Sequence, residues 1–170
     1  MLVNNAGIVS LPKSKRLLDM RENFNSTFNA NITSVAAVTN TFLSLLHLSP
    51  NPKVINISSG RASLTRSSTG NLPPTAVVAY SASKAALNSL TIEVQKAEDV
   101  LNEGDGKGAG RGKIEYWAAN PGNCKTAFNG SRRGGDLLVV VQLAMGGGGG
   151  QWKKGGFWEF EEEAKREVPW

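Results

Sequence analysis

The sequence contains few of the residues that build metal centres, disulfides and histidine-dependent hydrolases. Among its 170 residues there is one cysteine, Cys124, and one histidine, His47. A single cysteine excludes an intramolecular disulfide framework, and these two residues cannot form a Cys/His zinc cluster. A Ser–His or Cys–His hydrolase would have to use His47, and no Gly-x-Ser-x-Gly elbow is present. We therefore expect no metal site and no hydrolase of these types.

Long apolar runs and an N-terminal leader pattern are also missing. No stretch reaches the roughly 18 uninterrupted apolar residues of a membrane span. Residues 1–10 lack the cationic region and the long apolar region of a secretory signal. The net charge is +5, and the basic residues are scattered without an aromatic platform, so no nucleic acid is expected as a partner. These absences predict a protein that does not contact membranes and has a cytoplasmic location.

Glycine is scarce in the first part of the chain and abundant in the second. Of the 19 glycines, three precede residue 104, and the others include the alternating run Gly104–Gly112 and the pure run Gly146–Gly150. Such runs are flexible connections, and only a few residues separate them from patterned segments. Because the length is also typical of one domain, residues 1–170 are predicted to form a single domain.

Apolar periodicity predicts that strands and helices alternate along the chain. This alternation is typical of the α/β class, in which helices cover a parallel sheet. The helix from residue 17 to 48 has a predicted apolar stripe at Phe24, Phe28, Val35, Val38, Phe42 and Leu46, and the helix from residue 80 to 101 has one at Leu87, Leu90, Val94, Ala97 and Leu101. The predicted strands are Met1–Val3, Lys53–Ser59, Ile114–Ala119 and Phe157–Glu161, and the predicted helices are Leu17–Leu48, Tyr80–Leu101 and Leu137–Met145. For the last of these a strand is the alternative, because Val139, Val140 and Val141 would also suit one. Arg61–Pro74 is a predicted loop, and Glu159–Glu163 is predicted to be solvated.

Polar side chains stand at the ends of three predicted strands. Asn4 and Asn5 follow the first strand, Ser58 and Ser59 end the second, and Asn120 opens a polar turn after the third. Ligands of parallel α/β sheets bind at the carboxyl ends of the strands. The sequence therefore predicts a ligand site at this edge of the sheet.

Tyr80 and Lys84 are four residues apart at the start of a predicted helix, so their side chains share one face. A phenol is a poor base at neutral pH, but a nearby ammonium favours the phenolate and lowers the phenol pKa. A tyrosine tuned in this way can donate a proton to a carbonyl oxygen or accept one from an alcohol. Because Tyr-x-x-x-Lys often occurs by chance, the pair gains meaning only from its context.

Two further features supply that context. Ser58 and Ser59 end the preceding strand, where a hydroxyl can donate a hydrogen bond to the same substrate oxygen. Asn31 lies in the middle of a predicted helix, although asparagine is a poor helix-interior residue. Its amide either belongs to a solvated polar face or anchors a water near Lys84.

Together these motifs resemble the short-chain dehydrogenases/reductases, in particular the carbonyl-reductase-like members, from Met1 to about Thr126. The resemblance implies a Rossmann-type sheet, NADP or NAD as cofactor, and a small carbonyl or alcohol substrate. It also implies hydride transfer accompanied by a proton relay through four residues. The motifs, in the family's order, are Asn4-Asn5-Ala6-Gly7, Asn31, Ser59, Tyr80-Ser81-Ala82-Ser83-Lys84 and Asn120-Pro121-Gly122.

The resemblance also assigns roles to these residues. Tyr80 would be the acid and base, Ser59 would orient the carbonyl, and Lys84 would hold the nicotinamide ribose. Ser59 is preferred because it is followed by Gly60, as in the family pattern, and Ser58 is the alternative. The implied relay is Asn31, Ser59, Tyr80 and Lys84, and the implied cofactor-binding residues are Asn5, Ala6, Gly7, Tyr80, Lys84, Pro121, Gly122, Asn123 and Thr126.

The sequence departs from the family pattern in two places. The spacing of 21 residues from Ser59 to Tyr80 is longer than is usual in the family. The added segment Arg61–Pro74 would lie beside the substrate entrance, where it either changes specificity or extends into solvent. The family's opening βαβαβ half, with its glycine-rich turn, is not found ahead of Asn4. A formal match at Gly104–Gly110 follows a helix rather than a strand, so it cannot cradle a phosphate.

From the second departure we expect an N-terminally truncated Rossmann-type domain of about four strands, the C-terminal catalytic half of the fold. The first strand would become a sheet edge, and binding of the nicotinamide cofactor would be weakened. Such an edge also favours association with further copies of the chain, so a homo-oligomer is an expected state. The alternative function is that of a catalytically silent fragment that acts through subunit association.

Overall fold

The computed structural model describes residues 1–103, 111–122, 154–161 and 164–170, in which five strands form one sheet. The first four strands are parallel, and the fifth is antiparallel to the fourth. The predicted Rossmann-type α/β class is therefore confirmed, and the last strand is an addition that its charged sequence did not predict. In sheet order the strands are β1 (Leu2–Asn4), β2 (Lys53–Ile57), β3 (Glu115–Asn120), β4 (Phe157–Glu161) and β5 (Ala164–Glu167).

The first predicted helix is one continuous helical segment with a π-helical turn in its middle, and the second predicted helix is longer than expected. The predicted helix Leu137–Met145 lies outside the described residues. The segment predicted as a loop after β2 contains a 3₁₀ turn and a short helix, both of which begin at a serine cap. The helical elements are α1 (Leu17–Phe28), the π turn (Asn29–Thr33), α2 (Ser34–His47), the 3₁₀ turn (Gly60–Ala62), α3 (Leu64–Ser68) and α4 (Val78–Glu103).

Apolar side chains cover both faces of the sheet because successive residues of a strand point to opposite sides. One face buries Ile55, Trp117 and Trp158 in a single cluster. The other face buries Val54 and Tyr116 with residues of α2. A parallel sheet needs cover on both faces, and this alternation supplies an apolar surface to each layer.

The buried stripe of α4 combines Leu87 with polar residues, and the apolar stripe predicted for this helix is wrong at Ala97 and Leu101. Leu101 is 58% exposed, whereas Gln95 and Glu98 are 4% and 6% exposed. Their side chains accept hydrogen bonds from the backbone N–H groups of Tyr116 at 2.8 Å and Ile114 at 3.2 Å. Buried backbone donors must be satisfied, so the helix presents polar groups to the start of β3.

The first helical segment departs from its predicted stripe at two positions, whereas Val35 and Leu46 of that stripe are buried. Val38 and Phe42, assigned to its apolar stripe, are 41% and 43% exposed, whereas Asn23, Thr27 and Asn31 are buried. These three residues are spaced by four, so they form one face of the helix. Apolar periodicity alone could not identify this face, because its buried members are polar.

A ladder of polar side chains joins the strands to the helices at the carboxyl side of the sheet. The Asn4 amide donates to Asn56 at 2.8 Å and to Thr39 of α2 at 2.9 Å. Asn56 in turn donates to Thr91 of α4 at 2.9 Å. Because β1 and β2 are in register at Asn4 and Asn56, this ladder fixes both strand ends against α2 and α4.

Within the described residues, no helix is both long enough and apolar enough to cross a bilayer.

Candidate active site

The parallel strands bring the polar residues of three strand ends to one edge of the sheet. Asn4 of β1 pairs with Asn56 of β2, and Asn56 pairs with Ala118 of β3. The residues that follow these positions therefore leave the sheet side by side. This edge holds Asn5, Ser59 and Pro121, as the sequence predicts for a ligand site.

The two serines after β2 point in different directions. The Ser58 hydroxyl is buried and donates to the side-chain oxygen of Asn88 in α4 at 2.6 Å. The Ser59 side chain is half-buried and hydrogen-bonds to Tyr80. Since neighbouring residues of an extended segment face opposite sides, only one of the two can reach the tyrosine. The structure brings Ser59, and not Ser58, next to Tyr80.

Tyr80 lies at the start of α4 in surroundings that oppose its ionisation. Burial raises the pKa of its phenol, while the hydrogen bond with Ser59 and the charge of Arg61 act in the opposite direction. The expected lowering by Lys84 is not what the structure shows, because desolvation outweighs the attractive contributions. In this state the phenol keeps its proton and is a donor.

Lys84 lies one helical turn further along α4, near the ring of Tyr80. Its ammonium is 5.9 Å from the Tyr80 ring centroid and donates to the backbone oxygen of Ile57 at 2.6 Å. The side chain is 4% exposed, and burial lowers its pKa to about 8. Near neutral pH the lysine is still mostly charged, and it becomes neutral as the pH rises above 8.

Asn31 lies in the π turn between α1 and α2, and it is fully buried. Its amide nitrogen donates to the Ile8 oxygen at 3.0 Å and to the Ser83 hydroxyl at 2.8 Å, and its oxygen accepts from the Ile8 backbone N–H at 2.8 Å. A solvated polar face is therefore the wrong interpretation of this residue. Both amide hydrogens are used, so a water near Lys84 could bind only to the remaining lone pair of the Asn31 oxygen.

Gly7 lies close to the side chains of both Asn31 and Lys84. A β-carbon on Gly7 would lie 3.2 Å from the Asn31 side-chain oxygen and 3.5 Å from the Lys84 ammonium. The missing side chain therefore keeps open the space in front of these two groups. Asn5 and Ala6 are exposed beside that space. This arrangement fits a flat polar group of a cofactor that approaches Lys84 closely.

The turn after β3 is the other predicted wall of the cofactor site. Pro121 and Gly122 are half-buried, and the Gly122 N–H donates to the Asn120 side-chain oxygen at 3.2 Å. Gly122 has a φ of 71°, which favours glycine. Asn123 and Thr126, the other two predicted residues of this wall, lie outside the described residues.

An ion pair between Arg66 and the buried Glu159 lies next to the turn after β3. Glu159 of β4 is fully buried and receives two hydrogen bonds from the Arg66 guanidinium, at 2.6 and 2.7 Å. The Asn120 amide donates to the same carboxylate at 3.1 Å. The prediction that the acidic segment is solvated is thus wrong at Glu159, which is buried against Arg66 of α3. Because Arg66 lies far away in sequence, no local pattern indicated this pair.

Sequence reasoning missed three residues of the site: Arg61, Arg66 and Ser83. Arg61 and Arg66 lie in the long segment between Ser59 and Tyr80, whose only signal was its unusual length. Ser83 was visible as part of the tyrosine motif, and its hydroxyl also donates to the Tyr80 backbone oxygen at 2.8 Å. It therefore connects Asn31 to the first turn of α4.

The burial of Lys84 predicts a pH effect on stability. Its pKa is about 8 in the folded protein, against an ordinary value of 10.5. Between these values the unfolded chain binds more protons, so stability rises with pH. Below pH 8 the folded protein bears the full free-energy cost of burying the Lys84 charge. This cost disappears as the pH rises through 8 towards 10.5. Relative to Lys84→Met, the free energy of unfolding of the unaltered protein should increase by about 3 kcal/mol across this window.

Urea denaturation of both proteins from pH 7 to pH 10.5 measures this difference. All other titrating groups are shared by the two proteins, so their contributions cancel. A difference that stays constant with pH would show that Lys84 titrates normally.

A comparison with known proteins identifies the family. The family model described as short chain dehydrogenase matches residues 1–136, which is most of the chain. The chain therefore belongs to the short-chain dehydrogenase family, as the motifs indicate.

Two fungal relatives are similar to the chain. A short-chain dehydrogenase/reductase of Aspergillus fumigatus is 40% identical over 181 aligned positions, which cover 100% of this chain and 66% of the relative. The short-chain dehydrogenase/reductase tropE of Talaromyces stipitatus is 34% identical over 151 positions, which cover 80% of this chain and 51% of the relative. The chain thus spans between half and two thirds of the length of these relatives.

Solved structures share the fold. A short chain dehydrogenase from Salmonella enterica serovar Typhi aligns with a TM-score of 0.62 and 14% identity, covering 92% of this chain and 60% of that one. A 3-ketoacyl-(acyl-carrier-protein) reductase from Brucella melitensis, complexed with NADH, aligns with a TM-score of 0.51 and 23% identity, covering 71% and 43%. A Shigella flexneri short chain dehydrogenase complexed with NADP aligns with a TM-score of 0.51 and 18% identity, covering 71% and 41%.

Proposed function

We propose that this protein is an NAD(P)-dependent oxidoreductase that interconverts a carbonyl and an alcohol. The observation that supports this most is the convergence of Ser59, Tyr80 and Lys84 at the carboxyl edge of the sheet. Ser59 hydrogen-bonds to Tyr80, and the Lys84 ammonium lies 5.9 Å from the Tyr80 ring. Membership of the short-chain dehydrogenase family supports the same reaction class.

Each residue has a role in the proton half of the reaction. The buried phenol of Tyr80 is protonated and donates its proton to the substrate oxygen as the carbonyl is reduced. The Ser59 hydroxyl donates a second hydrogen bond to that oxygen and so orients the carbonyl. In the reverse direction the Tyr80 phenolate, which the Lys84 ammonium stabilises, accepts the proton of the alcohol.

Asn31 and Gly7 support Lys84 in this role. Asn31 is held by Ile8 and Ser83, so its amide oxygen has a fixed position beside the ammonium. Gly7 leaves room for a ligand to reach the same ammonium. A nicotinamide cofactor, when bound, supplies the hydride that adds to the carbonyl carbon. The residues that would hold its nicotinamide half are Asn5, Ala6, Gly7, Tyr80, Lys84, Pro121 and Gly122, joined by Asn123 and Thr126 on the sequence pattern alone.

Both forms of the cofactor are candidates. Among structures of the same fold, one holds NADP and another holds NADH. None of the described residues selects between them.

A label-transfer assay tests the proposed reaction. The protein is incubated with NADPH or NADH that carries deuterium at the transferable C4 position, together with a panel of ketones and aldehydes. We expect oxidation of the cofactor at 340 nm that depends on the carbonyl compound, and deuterium on the carbinol carbon of the product. Cofactor oxidation without label in the alcohol would contradict hydride transfer to a carbonyl.

The second candidate is a catalytically silent chain that acts through subunit association. Its support is the position of β1 at the edge of the sheet. It does not account for the convergence of Ser59, Tyr80 and Lys84, so the geometry favours the oxidoreductase.

A further inference from the structure

Arg61 is the cation closest in sequence to Ser59, and its backbone N–H forms a hydrogen bond with the Ser59 hydroxyl at 3.3 Å. It occupies the 3₁₀ turn that follows Ser59. Its guanidinium donates to the Pro73 backbone oxygen at 3.3 Å, so it is held between the two ends of the segment that precedes α4. The side chain is half-buried, and its charge is felt by the Tyr80 phenol.

Among the described residues, no carboxylate balances the charge of Arg61. Across the part of the chain that the structure describes, Arg61 forms no ion pair, and its side chain bonds only to a backbone oxygen. The neighbouring Arg66 is different, because Glu159 neutralises it through two hydrogen bonds. Lys84 also donates to a backbone oxygen, that of Ile57.

Two cations, Arg61 and Lys84, therefore act on Tyr80. The hydrogen bond from the Arg61 guanidinium to Pro73 is exposed to solvent, so the guanidinium is accessible to a ligand. An anionic ligand would supply the counter-ion that the described residues do not. A guanidinium is also the group that best matches the two oxygens of a carboxylate, because its N–H donors form a planar fork.

We propose that Arg61 is a specificity-determining residue that binds a carboxylate that the substrate carries within a few bonds of its reacting carbonyl. The inference rests on the proposed function for the identity of the reacting group, and it adds the class of substrate: an oxo acid rather than a neutral ketone. The carbonyl oxygen lies between Ser59 and Tyr80, and the carboxylate lies on the Arg61 side, away from the cofactor groups around Gly7.

Binding can be observed without turnover. The protein is prepared with tyrosine labelled with ¹³C at Cζ, and the Tyr80 resonance is identified by its loss in Tyr80→Phe. It is then titrated separately with acetoacetate, with the uncharged methyl acetoacetate, and with inorganic phosphate. We expect a saturable shift of the Tyr80 resonance with acetoacetate and binding of the methyl ester that is weaker by about tenfold or more.

Variants assign the effect to Arg61. Arg61→Met should weaken acetoacetate binding by about tenfold or more, and Arg61→Lys should retain part of the affinity because it keeps the charge but not the planar fork. Arg21→Met removes the same charge from an exposed position on α1 and should leave the titration unchanged. Circular dichroism of each variant reports whether its fold is retained.

Several outcomes would overturn the proposal. These are equal binding of the acid and its ester, an unchanged affinity in Arg61→Met, absence of any shift with acetoacetate, or a shift with phosphate alone, which would assign Arg61 to a phosphate. A failure of the proposed function looks different. In that case acetoacetate binds and depends on Arg61, but no hydride reaches its carbonyl in the label-transfer assay.

Discussion

Replacing Tyr80 with phenylalanine is expected to lower the rate of carbonyl reduction by about a hundredfold or more while the fold is retained. General acid–base groups typically contribute factors of about 10² to 10⁴. The substitution removes a single oxygen that hydrogen-bonds to Ser59, and the ring remains beside Lys84. Because the proton moves only as the carbonyl is reduced, the loss should be larger in kcat than in KM.

The other tyrosine of the chain provides a matched control. Tyr116 lies in β3, packed with apolar residues of the opposite end of the sheet, and burial raises its pKa to about 12. Tyr116→Phe makes the same chemical change outside the site and should keep most of the activity. Steady-state kinetics of the two variants, with circular dichroism to check folding, decide the issue. Equal activity of Tyr80→Phe and the unaltered protein would remove Tyr80 from the mechanism.

Replacing Arg66 with methionine is expected to destabilise the protein by about 3–5 kcal/mol, because it leaves a buried carboxylate without its cation. Glu159 is fully buried, and Arg66 provides two of its hydrogen bonds. The Glu159 carboxylate would then lose two charge-assisted hydrogen bonds. Since Asn120 donates to this carboxylate and also holds the Gly122 N–H, the turn beside the cofactor site should loosen as well.

A double-variant cycle isolates this pair. Combining Arg66→Met with Glu159→Gln removes both charges and should recover a large part of the lost stability. An exposed pair serves as the control: Lys96 and Glu93 are both 64% exposed, so Lys96→Met should cost no more than about 1 kcal/mol. Urea denaturation measures all of these free energies. A similar loss in Arg66→Met and Lys96→Met would show that the Glu159 carboxylate is solvated after all.

Apolar periodicity predicted the strands well and the buried faces of the helices poorly. The β-branched segment of β2 and the apolar start of the chain are strands, and the parallel sheet follows from their alternation with helices. The faces of α1 and α4 were misjudged because Thr27, Gln95 and Glu98 are buried. Polar groups become buried when they satisfy backbone or side-chain partners, and hydropathy does not register such partners.

The long segment between Ser59 and Tyr80 was the least predictable part of the site. Its polar composition indicates a loop, yet Ser59 and Ser63 cap two helical turns there. The partners that give it a fixed place are Glu159 and the oxygens of Pro169 and Trp170. All three lie about ninety or more residues away along the chain, beyond the reach of any local pattern.

The sequence by itself determined the α/β class, the family and the spacing that places Tyr80 and Lys84 on one helical face, because short-range periodicity and motif order encode these properties. Only the tertiary structure decided that Ser59 rather than Ser58 contacts Tyr80 and that Asn31 is buried against Ser83. It also decided that Arg66 pairs with the Glu159 carboxylate, whereas Arg61 has no carboxylate partner among the described residues. Those outcomes depend on which distant groups meet at one edge of the sheet, and the free energy of a charge or an amide is set by these neighbours.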